Sequence, residues 1–369
     1  MTAPGSSIVV GPSDSLSDVA GVLVGHDYLL DPDATLGSGA ATGCTVVRVP
    51  GGATGGVDVR GGGPGTRETD LLDPSHSVQR VDAVVLSGGS AYGLAATDGV
   101  MRWLEDHGVG IPMGAPGQVV PIVPAAVIFD LPVGDWNTRP TAEFGYRAAD
   151  RAGAAVETGC VGAGTGARAG ALKGGVGTAS AVIEGGPADG VTVAALVVAN
   201  PVGSVWDPET GLPWGLSLAD AERRGMRPPS PDELAAANRL GGKGLEVLNT
   251  TIGVVATDAN LSKASCRRVA VAGHDGMARA IRPVHSPLDG DTIFALATGT
   301  HEVPSPDGVP SAFAAELPLL DAVCTAAASC VQRAIVDAIL SAVTVAGVPS
   351  YRDVFPSAFG GASGTSAQS

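Results

Sequence analysis

In the run Glu246-Val247-Leu248-Asn249-Thr250-Thr251-Ile252-Gly253-Val254-Val255-Ala256-Thr257, a hydroxyl amino acid stands at the head of an alternating apolar segment. From Thr250 onward, Thr251, Gly253, Val255 and Thr257 alternate with Ile252, Val254 and Ala256. That period of two, rich in β-branched side chains, predicts a strand. Just upstream, Gly241-Gly242 and Gly244 predict a mobile segment. Attack by the Thr250 hydroxyl on the carbonyl carbon of Asn249 would turn that peptide bond into an ester, and water would then release a new N-terminal threonine. Such a residue carries its own base. A free α-amine titrates at about 7.7–8.0, against about 10.4 for a lysine amine, and so sits near the neutral range where a general base works best. Threonine paired with an N-terminal amine is one of the known activated nucleophiles. The same pattern also describes an ordinary buried strand with a polar start.

Other residues suit parts of the same chemistry. Asn200 ends the apolar segment Val191–Ala199 and precedes Pro201. It is either a turn-forming Asn-Pro or a side-chain donor to the oxyanion of an acyl transfer, where one donor is worth about 10²–10³ in rate. Lys173, in Ala171-Leu172-Lys173-Gly174-Gly175-Val176-Gly177, is flanked by glycines that permit close backbone approach; an exposed loop lysine is the plain alternative. Asp289-Gly290-Asp291 sets two carboxylates two residues apart before a strand. They make a solvated turn, or supply counter-charge and an acceptor to an ammonium at a new chain start. His285 near Asp289 invites a Thr-His-Asp arrangement that an N-terminal nucleophile does not need. Ser90 sits at a strand-to-helix turn, but Tyr92 replaces the second glycine of the G-x-S-x-G pattern, so a helix cap or pocket lining fits better. Gly162-Ala163-Gly164-Thr165-Gly166 lacks the spacing of a dinucleotide loop and the Gly-Lys-Ser/Thr of a P-loop. No histidine and carboxylate cluster has convincing metal spacing, and no metal or cofactor is expected.

These residues need elements to hold them. Val81–Leu86 predicts a buried strand that leads into a helix over about Ala91–His107, with a second helix over about Pro140–Ala152. Strands follow at Gly177–Glu184 and Val191–Ala199, and Trp206–Pro231 looks like a proline-rich surface excursion. Ser230-Pro231-Asp232-Glu233 opens a helix that should stop at Gly241. After the Thr250 strand come a helix over about Leu261–Ala280, a strand at Thr292–Thr298, and a long helix or helix pair at Leu319–Val343. Strands mixed with packed helices imply an α/β layered domain.

Four further segments occur in one order across the chain. They are Val57-Asp58-Val59-Arg60-Gly61-Gly62-Gly63-Pro64-Gly65-Thr66-Arg67-Glu68-Thr69-Asp70, Leu86-Ser87-Gly88-Gly89-Ser90-Ala91-Tyr92-Gly93-Leu94, Val198-Ala199-Asn200-Pro201-Val202-Gly203, and Gly276-Met277-Ala278-Arg279-Ala280-Ile281 leading to His285 and the acid pair. Together with the Thr250 strand they resemble the P1 peptidase family, the L-aminopeptidase/D-esterase and nylon-oligomer hydrolase group. The resemblance implies a four-layer αββα sandwich of the N-terminal-nucleophile-hydrolase type in a single domain. It also implies cleavage after an asparagine, which selects Thr250 over Thr251 and gives fragments 1–249 and 250–369 that stay together. Residues 1–18 and 360–369 are expected to be disordered.

By the same resemblance Asn200 is the oxyanion donor, and Lys173, Asp289 and Asp291 set the charge around the new amine. The acid pair is similar to that of the nylon-oligomer branch, whereas the aminopeptidase branch has serine and glutamate. Relatives often carry tyrosine where this chain has Phe129, which has no hydroxyl to donate. Ser90, Tyr92 and Phe129 are candidates for the substrate pocket. The expected activity is hydrolysis of short peptides or amides, aminopeptidase-type, with ω-amino-acid oligomers as the alternative substrate and a homo-oligomer of cleaved protomers as the assembly. Outside that chemistry stand a serine hydrolase using Ser90 and a non-catalytic binding protein.

Composition narrows the rest. The 369 residues are 44% hydrophobic and 16% charged, and a net charge of −15 argues against a nucleic-acid partner. The five cysteines, Cys44, Cys160, Cys266, Cys324 and Cys330, form no CxxC pair and read as core residues in a reducing compartment. No basic, apolar leader and no uninterrupted membrane-length apolar run is visible, so a cytoplasmic enzyme away from membranes is expected.

Overall fold

A computed structural model of the chain describes residues 6–240, 248–303 and 309–360. The glycine segment Gly241-Gly242 and Gly244 lies outside those residues, as does the C-terminal tail beyond Gly360. Ten strands make one continuous ladder: β1 (Ser7–Val10), β2 (Leu23–Leu30), β3 (Ala41–Val59), β4 (Thr66–Arg67), β5 (Arg80–Ser87), β6 (Ala125–Val127), β7 (Gly175–Glu184), β8 (Thr192–Ala199), β9 (Ile252–Ala259) and β10 (Thr292–His301). Their order is β1-β7-β8-β9-β10-β3-β5-β6-β4, with β2 on β3.

The central strands are apolar on both faces, so both faces must be covered. In β8, Val193, Ala195 and Val197 point into one core while Ala194, Leu196 and Val198 point into another. β9 sends Val255 to the first and Ile252, Val254 and Ala256 to the second; in β10, Ile293 and Ala295 oppose Phe294 and Leu296. The second core also holds Val47, Val84 and Leu86 from β3 and β5, whose alternate residues Val46, Ala83 and Val85 face a third. Two leaves therefore share one inner core.

The long strand β3 links them. Residues 41–48 pair with β2 and β5, residues 54–59 pair with β10, and the register shifts between Arg48 and Ala53 across Pro50-Gly51-Gly52. Four helices cover the outside: α1 (Ala96–Asp106) and α2 (Ala142–Asp150) on one leaf, α3 (Lys263–Ala280) and α4 (Leu317–Ser341) on the other. The result is the expected αββα sandwich in a single domain. The last helix is unbroken rather than a pair. By length and composition it passes as a membrane span, yet 67% of its most apolar window is buried inside the fold.

Two expectations need correction. Residues 6–18 are not disordered: β1 pairs with β7, Leu16 is fully buried in the inner core, and its N–H donates to Thr178 Oγ1 (2.7 Å). Trp206–Pro231 is a surface excursion only in part: its helix Leu218–Arg224 buries no residue, but the segment is anchored on either side of it. Trp206 and Met226 are buried against the α3/α4 layer, and Gln332 and Tyr351 donate to the carbonyls of Gly215 and Gly211 (both 2.8 Å). The covering arises because α4 and the chain after it leave apolar surface that this segment fills.

Helix α4 rests directly on β7. A Cβ on Gly177 would lie 2.1 Å from Ala334 O and 2.2 Å from Ala338 N, both backbone atoms. Gly177→Ala is expected to destabilise the protein by about 1–3 kcal/mol through overpacking. Gly51→Ala, whose added methyl meets nothing within 4 Å, is expected to stay within about 0.5 kcal/mol of wild type. Chemical denaturation of the two variants side by side checks both.

Candidate active site

Strand pairing assembles the site. The register Val198↔Ile252 between β8 and β9 carries Asn200 alongside Thr250, whose N–H donates to Asn200 O (2.8 Å). On the other side β9 and β10 are parallel, in the register Ile252↔Thr292, and that pairing continues below the strands. Asn249 N–H donates to Leu288 O (3.2 Å), Gly290 N–H to Asn249 O (3.2 Å) and Thr292 N–H to Thr251 O (3.1 Å). Regular strand structure thus begins at Ile252, and Asn249-Thr250-Thr251 forms its lead-in, clamped from both sides.

Thr250 is buried, and its hydroxyl donates to the carbonyl oxygen of Asn249, the residue before it. That carbonyl therefore receives two donors, Thr250 Oγ1 and the Gly290 N–H. Asn249 is fixed further by its own amide, which donates to Pro201 O (2.8 Å). Gly290 has no room for a side chain: a Cβ there would stand 2.8 Å from both Thr250 Oγ1 and Gly63 O.

Asn200 is fully buried. Its Oδ1 accepts the Arg168 N–H (2.7 Å), and because a backbone N–H can only donate, the amide nitrogen points the other way. There it meets only a long contact, 3.4 Å to Phe129 O, which leaves donor capacity for a substrate oxygen.

The acid pair makes its hydrogen bonds to backbone neighbours and to His285. Asp289 accepts the N–H groups of Val202 and Ser286 (both 3.1 Å). Burial first, and the Asp291 charge second, push its carboxyl up to about 6, against the pull of those two donors. Asp291 accepts Thr251 N–H through Oδ1 (2.8 Å), and its Oδ2 accepts His285 N–H (3.2 Å) and contacts His285 Nδ1 (2.8 Å). Neither carboxylate is hydrogen-bonded to Thr250 N. Lys173 is also buried, and its ammonium donates to Gly164 O (2.9 Å) and Gly174 O (2.8 Å) rather than to Thr250. Burial lowers its pKa, with Cys160 and Asp130 opposing. Its link to the site runs through the backbone, where it pairs with Arg168, the residue that orients Asn200.

Ser90 adopts φ +52° at the start of a short turn of helix, and its N–H donates to Ile128 O (2.9 Å). Among the described residues no histidine is hydrogen-bonded to it. His26, His107, His274, His285 and His301 contact Thr45, Trp103, Asp58, Asp291 and Asp189 instead. Tyr92 is exposed beneath the Arg139 guanidinium (3.9 Å), and Phe129 stands edge-on to Trp136 (6.2 Å). Phe129 meets Asn200 through its carbonyl.

One charged residue escaped notice in the sequence. Asp130 is buried, accepts Gly89 N–H (2.6 Å) and Thr42 Oγ1 (2.7 Å), and is pushed up to about 6 by burial. An acid directly after the apolar run Ala125–Phe129 is the available signal.

Comparison with known proteins adds a family. Residues 14–352 match the model described as Peptidase family S58. An uncharacterised aminopeptidase of Mycobacterium tuberculosis (strain ATCC 25618 / H37Rv) is 58% identical over 350 residues, covering 94% of this chain and 99% of the relative. A 6-aminohexanoate-oligomer endohydrolase of Paenarthrobacter ureafaciens is 30% identical over 322 residues, covering 82% and 84%. Among solved structures, the L-aminopeptidase D-Ala-esterase/amidase of Ochrobactrum anthropi, a variant among the Ntn hydrolase fold, gives a TM-score of 0.66 at 25% identity, covering 90% of this chain and 88% of that one. A Burkholderia sp. beta-aminopeptidase shares the fold at a TM-score of 0.68 and 24% identity, covering 96% and 94%.

The raised Asp289 carboxyl has a consequence for stability. Between its ordinary value of 3.8 and about 6, the folded protein holds a proton there that the unfolded chain has released. More protons on the native state mean that stability falls as pH rises, so this contribution is lost between about pH 4 and 6. Wild type is therefore expected to lose stability relative to Asp289→Asn across that window, measured by denaturant titration at each pH. A constant difference between the two would mean an unshifted carboxyl.

Proposed function

This chain belongs to peptidase family S58 and is a hydrolase of peptide or amide bonds, and from that premise we propose that it cleaves itself between Asn249 and Thr250 and then works through Thr250 as an N-terminal nucleophile. The observation that carries this reading is the Thr250 hydroxyl held on the Asn249 carbonyl, with the Gly290 N–H on the same oxygen. Attack of Oγ1 on that carbon puts negative charge on an oxygen that already has a backbone donor. The C–N bond then breaks, the hydroxyl proton ends on the departing Thr250 nitrogen, and an ester joins Asn249 to Thr250 Oγ1. Water hydrolyses the ester and leaves a carboxylate on Asn249 and a free amine on Thr250.

In turnover that amine is the base. It titrates at about 7.7–8.0 when unperturbed, and the Asn200 carbonyl that now accepts the Thr250 N–H keeps it oriented. Thr250 Oγ1 attacks the substrate carbonyl and gives its proton to the amine, the Asn200 side-chain amide donates to the oxyanion, and water releases the acyl group. Asp291 fixes the residue after the nucleophile, Asp289 ties the adjoining loop to Val202 and Ser286, and Lys173 supports the Arg168–Asn200 contact. The substrate reading is a short peptide or amide, aminopeptidase-type. Oligomers of ω-amino acids are the second reading, supported by the 30% identity to the 6-aminohexanoate-oligomer endohydrolase. The two fragments would remain joined, because β9 lies between β8 and β10. A homo-oligomer of such cleaved protomers completes the proposal.

Intact mass and N-terminal sequencing test it. Wild type should give two polypeptides, the second starting at Thr250, whereas Thr250→Ala should remain one chain of 369 residues without turnover. Asn200→Ala should lower kcat by about 10²–10³. Active material consisting of one unbroken chain would overturn the mechanism.

A further inference from the structure

His285 is left without a part in the chemistry above, yet its geometry is unusual. Its φ is +56°, a left-handed conformation uncommon for residues with a side chain. That conformation turns its backbone N–H (3.2 Å) and ring Nδ1 (2.8 Å) onto the same oxygen, Asp291 Oδ2. The other oxygen of that carboxylate holds the Thr251 N–H (2.8 Å). A residue in a sparsely populated backbone conformation persists only where its surroundings hold it, and here two donors on one carboxylate oxygen do so.

The far side of the ring is equally constrained. His285 Nε2 is buried and has no partner among the described residues. The ring stands edge-to-face on His274 of α3, with centroids 4.8 Å apart at 71°. His274 uses Nε2 on Asp58 O (3.0 Å), and its own Nδ1 is likewise buried and unpartnered. Burial brings the His274 pKa down to about 4, so it packs as a neutral ring. The charged and titratable groups around His285 are thus Asp291 and Asp289 on its own loop, His274 on α3, and Asp58 with its partner Arg60 on β3 and its exit. No hydrogen bond joins His285 to Thr250, which removes it as a base for the nucleophile.

We propose that His285 is a positioning residue: it locks the Asp291 carboxylate, which in turn holds the Thr251 N–H and keeps the Thr250 hydroxyl on line with the carbon it attacks. The proposal rests on the Thr250 reading above. Small misplacement of a reacting group costs as much as about 10²-fold in rate, so the effect belongs in kcat and in the rate of self-cleavage and not in KM.

An isosteric pair tests it, because both Asn and Asp tolerate left-handed backbone. His285→Asn keeps a side-chain donor near the Nδ1 position, while His285→Asp presents only acceptors to Asp291. His285→Gly removes the ring and relieves the backbone. Self-cleavage is followed by intact mass against time, and kcat and KM are measured on an amino-acid p-nitroanilide. The Asp and Gly variants should lose about 10–100-fold in both self-cleavage rate and kcat, with KM within about twofold, and the Asn variant should recover most of the loss. Equal rates in wild type and the Gly variant, equal losses in Asn and Asp, or an effect confined to KM would each overturn the proposal. Should the Gly variant fail to fold, the Asn and Asp pair still decides. An uncut, active wild type would instead defeat the Thr250 reading itself.

Discussion

Hydrogen bonds between two parallel strands hold the rest of the site in place. Parallel bonds slant along the strand direction, and here the slant continues past the last regular pair, so that Asn249, Thr250 and Thr251 are read off against Leu288, Gly290 and Thr292. A shift of one residue would turn every β9 side chain to the opposite core. Ile252, Val254 and Ala256 would then leave the inner core, and the Gly290 N–H would no longer meet the Asn249 carbonyl. Burial of apolar side chains on both faces of one strand thus specifies the position of a single carbonyl oxygen.

The electrostatics follow from the same burial. Asp289, Asp130 and Lys173 are charged residue types taken almost completely out of water, and in each case burial is the largest influence on the titration. Backbone groups do most of the compensating: two N–H donors on Asp289, two carbonyls on Lys173, an N–H and a hydroxyl on Asp130. Charges held this way cost free energy unless their hydrogen bonds are complete. That requirement explains why the glycine-rich loops around them run so close together: only bare backbone can approach on several sides at once. Gly61, for example, would place a Cβ 2.3 Å from Asp291 N.

Much of this was legible in the residues. The alternation after Thr250, the apolar run ending at Asn200 and the acid pair before Thr292 mark three strand ends, and three strands paired side by side bring those ends together. The β-branched and apolar periodicity of β5, β7, β8, β9 and β10 shows directly in the sequence. Other features were hidden for physical reasons. Pro50-Gly51-Gly52 reads as a break, yet β3 bends there and continues into the second leaf. The four residues of β1 are too few to carry a period. The contacts of Lys173 and His285 depend on loops that meet only after the sheet has formed, and no spacing along the chain encodes such meetings.

The sheet order also has a consequence for how the chain comes off the ribosome. β9 and β10 are made late but sit between β8 and β3, which are finished long before them. A nascent chain that has emerged only to residue 240 therefore carries two long strands with bare N–H and C=O groups along one side, the arrangement that invites pairing with a stranger. The centre of the sheet cannot close until residue 301 has been made.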